Sequence, residues 1–570
     1  MSKNKKRKKL FIILSIVCLL TISSISFIYY KQSTKVEPII GAYVDGEYST
    51  TLPSKGSGYA VEKIVCDNNK SASWDYVKWG IKLSNWSTRS RCNIYFKSLE
   101  SFTIASKTFY LDEMQRCPSM NSDGTVTVNG MEDTYGYLCK AKDAYGDSYY
   151  YRGNVTNNYV KFGNWSTELV YGYFTDVSSN YLEYDSLKAC QNSGSYNRKC
   201  TVIREKNAPM YWRIIRINGD GTVRVIYDGT VAHANSYASS DRQIGTTAFN
   251  DYWKKNNVKE STNSSIQYDN AGVGYMYGNR DGIVEQSIQY GTSSYTNTST
   301  YYIAKEYNYN ASTDRFTLKD PIAVKGSDMT SSYVGYYTFN SKGSSYSDRH
   351  MYKITSVTAG SSSATIGYSY VTYGTTSKEK AQTNTNSSDI KTYLDTWYEN
   401  NIKGTTNEQY VADNIFCNDR SISSRTSSTY TNKGYGNERT YYRWSNTGGS
   451  YNNKMMLACP QKNDAFTVND TTKGNGALTY GIGLLTADEL ILAGCWDVNN
   501  LNYYLYSGQS YWLASPSHLY GNHVDERIVF PGGNLGNTSV GYSYGARPVL
   551  NLSSDVLKNG NGTASDPYHA

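Results

Sequence analysis

The chain reads as an α+β protein, and three observations point there. Short runs with apolar residues at alternate positions recur between Gly-, Ser- and Asn-rich breaks, the pattern of half-buried strands. Two stretches replace that rhythm with helical spacing, and each carries a capping signal. One long uncharged apolar run stands ahead of all of them.

That run covers residues 10–30 and follows Lys3, Lys5, Lys6, Arg7, Lys8 and Lys9. Its length suits a bilayer-spanning helix, and Tyr29, Tyr30 and Lys31 end it as a membrane interface would. A basic flank belongs on the cytoplasmic side, so residues 1–30 are expected to form a single-pass anchor with the bulk of the chain outside the cell. A signal peptide cut near Ser23, Ser24 or Ser26 is the alternative. The six bases carry most of the formal net charge of +8. No folded segment is left basic enough to suggest a nucleic-acid partner.

Nine of the ten cysteines lie beyond the run, spread as separated pairs without the close C-x-x-C spacing of zinc sites. In an oxidising compartment this spread predicts disulfides Cys66–Cys92, Cys190–Cys200, Cys117–Cys139 and Cys417–Cys459, with Cys495 left as a buried free thiol.

Residues 31–40 read as a link. From 41 to 112, "YAVEKIVC", "WDYVKWGIKL" and "RCNIYFKSL" predict a small β-sandwich, with Trp74, Trp79 and Trp86 either filling its core or lining a sugar-binding face. Residues 113–130 form a linker and hairpin marked by Asp123-Gly124 and Asn129-Gly130. "MEDTYGYLCKA" suggests one or two helical turns. "SYYYRG", "NNYVKFG", "MYWRIIRING" and "TVRVIYDG" follow as strands, the last two joined through Asn218-Gly219-Asp220-Gly221. Residues 229–387 turn to Ser, Thr, Asn, Tyr and Gly and read as long decorated insertions, partly ordered, with some strand character kept in "YMYGN", "SYTNTSTYYIAKEYNYN" and "RHMYKITSV…SATIGYSYVTYG". Ile390, Tyr393, Leu394 and Trp397 then recur at i, i+3, i+4, i+7 behind a Ser388 cap, and Thr486 with Glu489 has capping-box spacing ahead of a Gly494 stop.

In "IGLLTADELILAG", "YWLASPS" and "GARPVLNL", taken in that order, the chain resembles a family of bacterial surface domains related to the formylglycine-generating-enzyme type of C-type lectin-like fold. The resemblance spans about residues 131–570, with the insertions unmatched. The segment around "WDYVKWG" resembles a small β-module that precedes such domains in low-GC Gram-positive bacteria. The likeness implies that the "WLASP" and "ARPVLNL" strands pair in one central sheet. It also makes Arg547 an inward structural residue, partnered by Asp488 or Glu489, with Trp212 and Trp512 structural beside it.

A binding rim is expected on loops held by this core, carrying Tyr503, Tyr504, Tyr506, His518 and Tyr520. His518, His523 and Glu526 would form a metal-ligand set if a loop gathered them. "WDVNN" at 496–500 resembles a calcium-and-sugar motif, with Asp497, Asn499 and Asn500 as hard oxygen donors. No cofactor fingerprint or nucleophile motif is present. These features favour an anchored extracellular binding or adhesion protein for glycans or surface proteins. The alternatives are a structural envelope protein and a metal-dependent enzyme.

Overall fold

A computed structural model describes residues 28–29, 39–54, 59–67, 72–75, 79–83, 91–98, 117–174, 181–193, 198–250, 254–255, 258–259, 270–339, 343, 345–421, 453–520 and 523–570. Strands hold 44% of the described residues and helices 12%, so the α+β expectation gives way to a mostly β protein. The expected spanning segment lies outside the described residues, apart from Ile28–Tyr29 at its end. Those two residues form a strand parallel to Ile81 and Lys82. A spanning helix keeps its backbone bonds to itself, whereas this end of the run pairs with a neighbouring strand. No helix among the described residues is long and apolar enough to cross a membrane, and the single-pass anchor is withdrawn.

The small module holds two sheets. Ile39–Val44 runs parallel to Arg91–Ser98, which pairs on its other side with antiparallel Tyr59–Cys66. Cys66 and Cys92 are register partners in that ladder and are bonded. Val61, Trp79, Ile81, Ile94 and Phe96 form the core, and Trp74 meets Trp79 edge to face at 5.5 Å. These two Trp are therefore packing residues; Trp86 lies outside the described residues.

The main sheet is antiparallel. Its order is Gly136–Asp143, Gly146–Gly153, Pro209–Ile217, Val223–Gly229, Val549–Leu552 and Ile482–Gly483, with Tyr159–Asn164 also on Pro209–Ile217. The stretch read as helical turns at 131–141 thus supplies a strand. Tyr137, Leu138, Cys139 and Ala141 are all buried there, and β-formers on a covered face outweigh a weak local helical preference. A second sheet orders Thr246–Ala248, Ser543–Gly545, Tyr511–Tyr520, His523–Val529 and Leu535–Ser539. "WLASP" and "ARPVLNL" therefore belong to different sheets. Pro548, which cannot donate to a ladder, stands one residue before its strand, where its carbonyl accepts from Tyr227 N.

One large core unites these sheets with the two helices expected from the sequence, Asp389–Asn401 and Ala487–Leu492. In Asp389–Asn401, Ser388 caps Lys391 N, while Ile390, Leu394 and Trp397 turn inward; Trp397 sits 6.0 Å from Trp212 and 6.1 Å from Trp165. Ala487–Leu492 closes its capping box through Thr486 and Glu489 and stops at Gly494, whose φ of +116° favours glycine. Trp212 and Trp512 are fully buried.

The region expected to be decorated insertion is instead largely sheet. Met276–Tyr277 pairs with Asn386–Ser387 as a two-stranded neck. Beyond it, Gly282–Thr296, Ser363–Gly374, His350–Thr358, Tyr337–Thr338, Thr300–Ala304 and Ile322–Lys325 form one sheet with its own two small cores. Tyrosine supplies much of the packing in this sheet. In "EYNYN", Tyr307 and Tyr309 lay their rings on Phe316 at 5.6 and 4.9 Å, apolar packing by a residue that composition counts as loop-like.

Candidate functional site

Three of the tyrosines expected on the rim, Tyr503, Tyr504 and Tyr506, are not at the surface. Tyr503 and Tyr504 are 0% exposed and Tyr506 8%. The cause is a set of buried arginines that pull their loop inward. Arg547 donates to Leu505 O at 2.7 Å, Arg242 to Tyr504 O at 3.1 Å, and Tyr504 N donates to Gly153 O at 3.1 Å. Both guanidiniums converge on Asp228, at 2.9 Å from Arg547 and 2.8 Å from Arg242, with Arg213 3.9 Å away. Buried charge persists only when paired and hydrogen-bonded, and here backbone carbonyls supply what one carboxylate cannot. The Arg213 guanidinium also lies 3.9 Å over the Tyr159 ring.

Arg547 accordingly pairs with Asp228 and not with Asp488 or Glu489. Glu489 serves a different pair. Arg216 and Arg224 are register partners on adjacent strands, and like charges so placed repel. Glu489 sits between them, 3.1 Å from Arg216 and 2.6 Å from Arg224, and Asp143 takes Arg216 from the far side at 2.6 Å. Burial works to raise the Glu489 carboxyl, but the two guanidiniums outweigh it and hold it below the ordinary carboxylate range. The helix that carries Glu489 is thereby locked to the sheet. A small cleft beside this pair is lined by Asp419, Asp488, Met456, Pro460, Thr486 and Ser515.

The His518, His523 and Glu526 set does not share a face. The ladder puts position 518 opposite Asp525 and position 520 opposite 523, whereas Glu526 faces Pro516 and is one residue out of step. A side-chain period of two separates it from the histidines. The side chains of His518, Tyr520 and His523 lie outside what is described, and no metal-binding group of three is found among the described residues. Glu526 itself is fully buried, and neither carboxylate oxygen has a hydrogen-bond partner. Cys495 is also buried, and burial pushes its thiol up to about 12. The eight other cysteines of the described chain form Cys66–Cys92, Cys117–Cys139, Cys190–Cys200 and Cys417–Cys459.

What the arginine-held core does present is a different set of side chains. Three loops, 131–135, 496–502 and 530–534, meet at one end of the main domain. Glu132 N donates to Gly494 O at 3.1 Å, Asn500 N to Gly532 O at 3.0 Å, and Leu535 N to Trp496 O at 2.9 Å. The Asn500 amide, itself buried, donates to Glu132 O at 3.1 Å and to Gly494 O at 3.0 Å, which latches the first loop to the second. On these loops Val498 is 51% exposed, Leu501 and Tyr135 47%, Met131 41% and Phe530 36%. The Phe530 ring lies on Gly536, where an added Cβ would collide with it, so one face of the ring is supported and the ring is still partly open.

Asn500, read from sequence as a cation ligand, is thus a structural latch. Asp497 and Asn499 remain exposed beside it. Sequence reasoning reached the 496–500 segment through its motif but missed Met131, Tyr135 and Phe530, which carry no motif and become neighbours only in the fold. The chain matches no protein-family model, no curated protein and no solved structure.

Proposed function

We propose that this is an extracellular binding protein that engages a protein ligand through the three-loop end around Val498, Leu501 and Phe530. One observation carries the reading: loops distant in sequence are latched together by backbone and Asn500 hydrogen bonds, yet they spend five large apolar side chains on solvent. Exposed apolar residues on loops that are hydrogen-bonded to one another support a contact surface. Aliphatic side chains with one Phe and one Tyr suit a protein surface better than a sugar, which asks for flat rings to stack on. Four disulfides fit an oxidising compartment.

The test is an interferometry panel of extracellular proteins and glycans, read with the parent chain and with Val498→Ser/Leu501→Ser/Phe530→Ser. The expected result is a protein hit whose affinity drops at least about ten-fold in the triple variant, the scale of losing a hot-spot cluster, with an unchanged melting temperature. A hit indifferent to the three changes would place binding elsewhere, and a glycan hit lost in the variant would return the ligand to sugar.

A further inference from the structure

The charge on the three loops narrows the partner. The chain overall holds more bases than acids, 57 Lys and Arg against 49 Asp and Glu. The three loops reverse that balance: "MEDTY", "WDVNNLN" and "FPGGN" contain Glu132, Asp133 and Asp497 and neither Lys nor Arg. The acids surround the apolar residues in the chain: Glu132 and Asp133 stand between Met131 and Tyr135, and Asp497 directly precedes Val498. Glu132 is partly committed to its own turn, where its carboxylate accepts from Thr134 N at 2.9 Å and Tyr135 N at 3.1 Å. Asp497 is exposed and can meet an incoming group; Asp133 is half-exposed, with one oxygen accepting from Thr134 Oγ1 at 3.1 Å and the other open to a partner.

We infer that the surface takes a protein segment whose apolar anchors are flanked by Lys or Arg. The inference rests on the docking reading above and adds the chemistry of the occupant. An apolar contact removes water from between the partners, and rim charges then act at lower effective dielectric than in free solution. An acidic rim repels acidic sequences and admits basic ones, so selectivity comes from the aspartates while the apolar residues hold the segment. Exposed Asn499 and Asn502 offer amides to its backbone.

A random dodecamer peptide display library, selected on the full chain, tests this. Selected peptides are then measured against the parent, against Val498→Ser/Leu501→Ser/Phe530→Ser and against Asp133→Asn/Asp497→Asn. The expected peptides lose binding in the triple variant, carry Lys or Arg beside aliphatic or aromatic residues, weaken about five-fold in the double Asn variant, and weaken in high salt. Peptides that depend on the triple site but lack basic residues, or that ignore the Asn changes, overturn the charge inference and leave the docking reading standing. If no selected peptide is affected by the triple variant, the docking reading falls and this inference falls with it. Melting temperatures of both variants separate lost binding from lost folding.

Discussion

Replacing Glu526 by Gln should stabilise the protein, and the gain should grow with pH. Glu526 is fully buried on the His523–Val529 strand, and neither of its oxygens finds a donor. Burial pushes its carboxyl well above the ordinary value of 4.5; Arg527 opposes this, Asp525 adds to it, and Arg420 opposes it again. The folded state therefore holds a proton that the unfolded chain releases. For an acid whose folded pKa is raised, the stability is fully present below the unfolded value and is lost as pH rises toward the folded one. Each pH unit in that window costs about 1.4 kcal/mol. The loss accumulates with every pH unit that separates the unfolded value from the raised folded one. Glutamine has nearly the same shape, shares the cost of an unmatched polar group and cannot ionise. Parent and Glu526→Gln should therefore melt together near pH 4 and separate as pH rises above it, with the variant ahead. Thermal unfolding of the full chain from pH 4 to 8, followed by tryptophan fluorescence, reads the difference. A gap that does not change with pH, or a variant that melts lower at pH 7, would refute the reasoning by showing that the carboxylate is charged and satisfied in the fold.

Asp228→Asn removes the charge shared by Arg242 and Arg547 with Arg213 close by, and should lower stability by about 3–5 kcal/mol, seen as a large drop in melting temperature. Tyr504→Ala should likewise destabilise by about 3–5 kcal/mol, because it empties a fully buried ring position; a neutral effect would mean the loop is not held as described. Non-reducing peptide mapping should recover Cys190 joined to Cys200, and Cys495 should resist a thiol reagent at pH 8 until denaturant is added. Gly536→Ala should dislodge the Phe530 ring and weaken binding at the three-loop end about as much as Phe530→Ser does.

Local features of this chain were legible because their interactions span only a few residues. The Ser388 cap, the Thr486 and Glu489 capping box, the Asn218–Gly221 hairpin and the inward stripe of Ile390, Leu394 and Trp397 are each settled by neighbours within two turns of chain. The cysteine pairs belong with them, since separations of 10 to 42 residues leave few sensible partners. The strands at 282–374 were legible only in part, for a chemical reason: tyrosine looks polar in composition yet covers small cores with its ring. Everything about the surface was decided further away. Tyr503 and Tyr504 look like rim residues until Arg242, 262 positions away, and Arg547, 42 positions away, take their loop's carbonyls. Arg547 chooses Asp228, 319 residues back, over the nearer Glu489, because Glu489 is needed between Arg216 and Arg224. The exposed set of Met131, Tyr135, Val498, Leu501 and Phe530 exists only once Asn500 joins their loops. Burial is a property of what packs above a residue, and a linear chain does not state which distant segment that will be.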